Sequence, residues 1–238
     1  MFFPVPDPST AASFPASAGF EAIAFQSGTE IVISYSGTDP EAGLLSGDWQ
    51  TNFALLNGNW ADQLLQAVEY YLQIKAANPG PSVTVSLTGH SLGGGLAALV
   101  GVFFNVPAKT FDQAPFAKSA TALSDNATTL LTHLSAKGYS TAALAPLVEY
   151  IQTRGPGGDI PRASLVTTVR VDGEFLGNGP ISGIGYKAIG SVAPTVLTHG
   201  PVLQPIDRHA FADVADRISC QRPHCHDIWQ SAADTQLQ

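Results

Sequence analysis

The stretch 82–104, SVTVSLTGHSLGGGLAALVGVFF, decides how this chain folds. Residues 82–88 alternate and are rich in β-branched side chains, which predicts a strand. Residues 92–104 are apolar almost all round, which predicts a buried helix. Between them Gly89-His90-Ser91-Leu92-Gly93 leaves room only for a very sharp turn. The stretch therefore predicts a strand, a tight turn and a buried helix in direct succession.

A G-x-S-x-G pattern between a strand and a helix is typical of a nucleophilic serine. The turn is so sharp that side chains two positions before and after the serine would clash, and glycine at both positions removes the clash. The turn also places the Ser91 hydroxyl above the sheet, at a helix N-terminus where backbone N–H groups favour negative charge. We therefore predict a catalytic role for Ser91. The alternative is a glycine turn that only joins a strand to a helix.

The elements on either side of this stretch predict the fold class. Further strands are predicted at 20–26, 30–35, 109–111 and 165–171. The first two surround Ser27-Gly28 and form a predicted hairpin. A helix is predicted to begin after Asn59, a good N-cap, and to end at the Asn-Pro-Gly-Pro run 78–81. This order predicts an α/β fold with a mostly parallel central sheet flanked by helices.

The length of 238 residues is ordinary for a single α/β domain, which we assign to 1–238. Residues 1–18 are rich in Pro, Ser and Ala and are predicted to be an extended lead-in. Residues 117–163 depart from the alternation of strands and helices. Two helices are predicted there, Ala120–Lys137 and Thr141–Thr153. We interpret this stretch as a helical cap, or lid, inserted over the site; the alternative is an ordinary long crossover.

Composition narrows the classes of function. Hydrophobic residues make up 45% and charged residues 13%, which fits a large core and excludes a disordered chain. The net charge of −8, without a basic run, argues against nucleic acid and against an anionic membrane surface as partners. No run reaches the ~20 apolar residues of a transmembrane helix. The N-terminus shows no signal-peptide pattern, which fits a cytoplasmic protein, or a secreted one whose signal was removed or lies elsewhere.

Four motifs resemble one known family. The sequence GHSLGGGLAAL, at 89–99, is similar to the nucleophile elbow of the class 3 lipases, a branch of the α/β hydrolases. YSGT at 35–38 resembles the strand-end loop that carries an oxyanion-hole residue in that family, and DWQTN at 48–52 resembles its Asp-Trp element. FDQAP, at 111–115, is similar to its strand that ends in a small residue and proline. The resemblance covers about 31–116 and implies an α/β-hydrolase fold.

The resemblance also implies an oxyanion hole. Its donors would be the backbone N–H of Leu92, just after the nucleophile, and the backbone N–H of Thr38 from the earlier loop. The Thr38 hydroxyl could add a third hydrogen bond. The alternative for residues 36–40 is a plain turn.

A serine nucleophile needs a base, and in this fold the chain order is serine, acid, histidine. We assign the base to His209, which begins an amphipathic stretch after a loop and resembles the loop-to-helix histidine of some bacterial lipases. His199 is the alternative. The remaining downstream histidines lie in the predicted cap or in the polar tail and are set aside: His133, His224 and His226.

The acid is expected after the strand at 165–171. We favour Glu174, because in class 3 lipases a branched apolar residue tends to follow the acid by two positions, as Leu176 does here. Asp172 is the first alternative. Asp112, after the preceding strand, is the second.

These assignments predict a serine hydrolase of carboxylic esters with lipophilic acyl groups, a lipase or carboxylesterase that works through an acyl-enzyme. No cofactor or metal is required; Cys220 and Cys225 could form a disulfide or, with nearby histidines, hold a metal. The expected partner is a small-molecule or lipid ester, and the oligomeric state stays open. A phospholipase A1 or a polyesterase would share the catalytic residues. A binding module on the same fold, without catalysis, is the remaining alternative.

Overall fold

In a computed structural model of the chain, residues 3–4, 20–37, 54–170 and 186–193 are described. They form a seven-stranded sheet whose strands lie side by side in chain order. The strands are β1 (Phe3–Pro4), β2 (Ala22–Ser27), β3 (Glu30–Tyr35), β4 (Thr84–His90), β5 (Ala108–Phe111), β6 (Val166–Val169) and β7 (Ser191–Val192). The first two pairings are antiparallel and the four from β3 to β7 are parallel. The predicted α/β fold with a mostly parallel sheet is confirmed.

The predicted hairpin is confirmed as β2 and β3. Ser27 pairs with Glu30, so Gly28 and Thr29 form a two-residue turn. Gly28 has φ +59°, a left-handed value that glycine adopts without steric cost. Along β3, alternate side chains are buried beneath the helices while those between them are partly exposed, which is the period-2 pattern of a strand.

The first long helix, α1, spans Asp62–Ala77 and ends before Asn78-Pro79, as predicted. The predicted N-cap at Asn59 is wrong. The backbone N–H of Asn59 donates to the Ala54 carbonyl at 2.8 Å, because Asn59 closes a separate helical turn at 54–56. Ala61 occupies the cap position instead, without a side-chain cap bond. The indole N–H of Trp60 donates to the Asp62 carboxylate at 3.0 Å, which ties the chain at the helix start.

Helix α2 spans Ser91–Phe104 and is buried along its whole length. This confirms the buried helix that the apolar run predicted. Gly95 lets the helix pass close to Phe116, since a Cβ at Gly95 would clash with that ring. The helix ends at Asn105, which takes the left-handed conformation at φ +60°.

Three helices follow β5: the single turn α3 (Ala117–Ala120), then α4 (Asn126–Ala136) and α5 (Thr141–Thr153). The bounds of α5 match the prediction. The predicted helix Ala120–Lys137 is wrong at its start, because the chain turns extended at Thr121 and α4 begins only at Asn126. The Ser124 hydroxyl explains this start, since it accepts a hydrogen bond from the Asn126 N–H and donates one to the Gly58 carbonyl.

The segment 117–163 joins β5 to β6, which are parallel neighbours in the sheet. Helix α5 packs on α2, where the Phe103 and Tyr150 rings meet edge to face at 4.9 Å. Beyond α5, the Arg162 guanidinium donates to the carbonyls of Val102 and Phe103, at the C-terminal end of α2, each at 3.3 Å. Residues 117–163 thus connect two neighbouring strands and pack on α2. A role as a cap over the site stays a prediction.

Candidate active site

Ser91 lies at the junction of β4 and α2, where the sequence predicts the sharp turn. Its φ is +52°, in the left-handed region that only a few per cent of residues other than glycine adopt. Such conformations cost about 1–3 kcal/mol and cluster at functional sites. Ser91 is 9% exposed. A strained, nearly buried serine at a helix N-terminus is the geometric centre of the candidate site.

Glycines make this turn possible. A Cβ at Gly89 would lie 2.8 Å from the backbone nitrogen of Gly94 and closer still to the Gly93 carbonyl. A Cβ at Gly93 would lie 2.5 Å from the Ser36 carbonyl oxygen and closer to that of Tyr35. The turn therefore closes on itself and against the end of β3, with no room for side chains at 89 and 93.

The end of β3 reaches the same place. Parallel pairing sets Tyr35 opposite Gly89, so the carboxyl ends of β3 and β4 share one edge of the sheet. A Cβ at Gly37 would lie 3.1 Å from the His90 carbonyl oxygen and 3.7 Å from the Ser91 Cβ. Gly37, which directly precedes the predicted donor Thr38 in the sequence, thus lies beside Ser91. Leu92 is buried in the first turn of α2, whereas Thr38, directly after Gly37, lies outside the described residues.

A buried tyrosine anchors the β3 end. The Tyr35 hydroxyl donates to the Ala67 carbonyl of α1 at 2.9 Å. Burial and, secondarily, the neighbouring Tyr71 and Tyr70 raise the pKa of Tyr35 well above its ordinary value. Tyr35 is therefore a neutral structural contact between the sheet and α1, one residue before the Ser36-Gly37 segment.

The structure also brings His90 and Asp112 together. Asp112 follows β5 directly, has φ +41° and is 1% exposed. Its Oδ2 lies 3.9 Å from Nε2 of His90, the last residue of β4. The sequence singled out Asp112 only as a second alternative for the acid and did not single out His90. The signal was the position of both residues at the ends of adjacent parallel strands.

Next to Asp112, the buried Gln113 side chain ties two parts of the chain together. Its amide donates to the Thr110 hydroxyl at 2.9 Å, and its carbonyl accepts from the Ile189 N–H at 2.7 Å. These two hydrogen bonds hold the described segment 186–193 against the end of β5. No pattern along the chain indicates this contact, because Gln113 and Ile189 are far apart in the sequence.

The remaining predicted catalytic residues lie outside the described residues: Glu174, Asp172, His209 and His199. The two cysteines and the tail histidines lie outside them as well: Cys220, Cys225, His224 and His226. Of the downstream histidines, His133 is described. It is exposed on α4, where its ring stacks on Trp60 at 5.0 Å. The assignment of the base and the acid therefore stays a prediction.

Within the described ranges, no group of three or more His, Cys, Asp or Glu side chains is placed to hold a metal ion. In the same part of the chain, no helix is both long and apolar enough to cross a membrane. Neither observation extends to the other residues.

Comparison with known proteins adds the family. The model of a phospholipase-like family, the Tle-like phospholipase domain, matches residues 8–177. Comparison with curated proteins gives no significant match. The matched range contains the Ser91 turn and all of segment 117–163, well beyond the 31–116 that resemble class 3 lipases. It supports a hydrolase of the lipase and phospholipase kind that acts on lipid esters, and not the class 3 lipases specifically. Because the match covers more than half of the sequence, the chain belongs to the phospholipase-like family of Tle-like phospholipase domains.

Proposed function

We propose that this protein hydrolyses a carboxylic ester bond of phospholipids, with Ser91 as the nucleophile. The observation that carries the proposal is the left-handed Ser91, at φ +52° between β4 and α2, in a chain of a phospholipase-like family. Strained backbone conformations of this kind cost free energy and cluster at functional sites, which supports a functional role for Ser91. In a nucleophile elbow this conformation holds the serine hydroxyl clear of the strand.

The reaction begins when the Ser91 Oγ attacks the ester carbonyl carbon. His209 takes the hydroxyl proton and passes it to the departing alcohol, leaving an acyl-enzyme. Water then attacks the acyl group with the same base, and fatty acid is released. Glu174 orients the imidazole; His199 is the alternative base, and Asp172 and Asp112 are the alternative acids.

The negative oxygen of the tetrahedral intermediate needs donors that are already in place. The backbone N–H of Leu92 fits this role because the first turn of a helix has N–H groups without partners inside the helix. The backbone N–H of Thr38 is the second donor. The approach of Gly37 to the Ser91 Cβ supports it, since Thr38 is the next residue.

The substrate class follows from the family and the charge. The family favours phospholipids over triacylglycerols and simple carboxylic esters, which stay as alternatives. A net charge of −8 disfavours an anionic lipid surface, so we expect zwitterionic vesicles to be the better substrate.

The test is product analysis on vesicles of phosphatidylcholine and on a triacylglycerol emulsion. The proposal predicts fatty acid and lysophospholipid from vesicles, and loss of both products in Ser91→Ala. Ser135→Ala, an exposed serine on α4, is the matched control and should act as wild type. Diacylglycerol or phosphatidate as the product would contradict the proposal, because either requires cleavage of a phosphate ester. Binding to vesicles without any product would favour a binding module.

A further inference from the structure

We infer that His90 and Asp112 form a buried pair that positions the Ser36-Gly37 segment beside Ser91. This segment directly precedes Thr38, the proposed second donor of the oxyanion hole. The inference rests on the proposed function, because it assigns these residues a role in the same site. Both are positioning residues: they act through the backbone around Ser91 and Gly37.

The first observation is the contact between the two side chains. Nε2 of His90 lies 3.9 Å from Oδ2 of Asp112, within the range of an ion pair and longer than a direct hydrogen bond. The side chains are 9% and 0% exposed. A carboxylate removed from water is costly unless a charge or donors compensate it. Nε2 is the imidazole atom of His90 that faces the Asp112 carboxylate.

The second observation concerns Gly37, which lies near the other nitrogen of the same imidazole, Nδ1. A Cβ placed on Gly37 would lie 3.7 Å from Nδ1 of His90 and 3.7 Å from the Ser91 Cβ. Gly37, beyond the end of β3, thus lies near Nδ1 of the imidazole whose Nε2 faces Asp112, at the end of β5. Since Thr38 follows Gly37 directly, a displacement of Gly37 displaces the proposed Thr38 donor as well.

The third observation is how firmly Asp112 is fixed. Its backbone is left-handed at φ +41°, and its N–H donates to the Val169 carbonyl of β6 at 2.9 Å. The side chain of the next residue, Gln113, is hydrogen-bonded to both Thr110 and Ile189. The register of β4 and β5 sets His90 opposite Phe111, the neighbour of Asp112. Backbone and register together present the carboxylate to His90.

A role of Asp112 as the triad acid makes a different prediction. In that case Asp112→Asn loses most of the activity while His90→Gln retains it. The positioning role predicts that the two changes have similar effects and that the double variant is no worse than either single one, because both remove the same interaction.

The experiment compares wild type with His90→Gln, Asp112→Asn and the double variant. We expect each to lower kcat on phosphatidylcholine vesicles, and the rate of fluorophosphonate labelling of Ser91, by about 10–100-fold, with KM little changed. The matched control is Glu69→Gln. It weakens an ion pair away from the site, in which the half-exposed Lys137 ammonium lies 2.8 Å from both oxygens of the buried Glu69, and it should lower the melting temperature without changing the labelling rate.

Hydrogen–deuterium exchange gives a readout that does not need activity. Amides of a peptide that ends at Gly37 should exchange faster in His90→Gln and Asp112→Asn than in wild type. In Glu69→Gln their exchange rate should equal that of wild type. His90→Asn replaces His90→Gln if the latter does not fold.

The inference is overturned if His90→Gln keeps the wild-type labelling rate and the wild-type amide exchange. It is also overturned if the losses in kcat add up in the double variant, or if only Asp112→Asn loses activity. The proposed function survives each of these outcomes if Ser91→Ala is inactive. If wild type itself neither labels nor hydrolyses vesicles, the proposed function fails, and exchange at the Gly37 peptide still decides whether the pair positions it.

Discussion

Replacing Gly93 with alanine tests whether the close approach of two backbones holds the Ser91 turn in its strained shape. The added Cβ would lie 2.5 Å from the Ser36 carbonyl oxygen, whereas ordinary contact begins near 3.4 Å. Because both partners are backbone, no side chain can swing away, and the two segments must separate by roughly 1 Å. A misplacement of about 1 Å can cost on the order of 10²-fold in rate, and overpacking of this kind costs about 1–3 kcal/mol of stability.

We therefore expect Gly93→Ala to lower kcat on phosphatidylcholine vesicles about 100-fold while the protein stays folded at room temperature. Initial rates of fatty acid release and a thermal melt measure the two effects. Gly155→Ala is the matched control, because a Cβ there meets nothing within 4 Å, and it should behave as wild type. Wild-type rates in Gly93→Ala would refute the reasoning, since they would show that the turn does not need this approach.

Three further predictions concern stability. Ser91→Gly relieves the left-handed strain, so it should be inactive yet melt no lower than wild type; a clearly lower melting temperature would contradict the strain. Burial raises the pKa of Tyr71 to about 12, so the folded state keeps a proton that the unfolded chain loses above its ordinary pKa of 10. The free energy of unfolding should then fall between pH 10 and about 12, and less steeply in Tyr71→Phe; equal slopes in denaturant titrations would count against this. Arg162→Met removes charged donors from carbonyls at the end of α2 and should cost about 2 kcal/mol or more in urea unfolding, with the Ser91 labelling rate unchanged; a loss below about 0.5 kcal/mol would rule out that capping role.

The local pattern was sufficient where neighbouring residues decide the structure. The hairpin of β2 and β3, the buried α2 and the bounds of α5 follow from alternation, apolar runs and turn residues. The predicted start of α1 was wrong because Asn59 closes a local turn on Ala54. The predicted start of α4 was wrong because Ser124 and Asn126 form hydrogen bonds with Gly58 and Asn59, which no pattern along the chain reveals.

In the candidate site, too, the features set by neighbouring residues could be predicted from the sequence, and those set by distant residues could not. The turn at Ser91 is readable because its steric demands select glycine at fixed positions around one serine. The pair of His90 and Asp112 could not be predicted from the sequence, because it depends on the register of two parallel strands that are connected by the whole of α2. The hydrogen bond between Gln113 and Ile189 joins chain segments that are still further apart in the sequence than His90 and Asp112. The assignments of His209 and Glu174 rest on chain order and resemblance and stay predictions.

The most direct test of the central claim is covalent labelling with a fluorophosphonate, followed by peptide mass spectrometry. The account predicts one modified peptide, with the label on Ser91, and loss of both the label and vesicle hydrolysis in Ser91→Ala. Full hydrolysis by Ser91→Ala, or a label on another residue whose replacement abolishes activity, would contradict it.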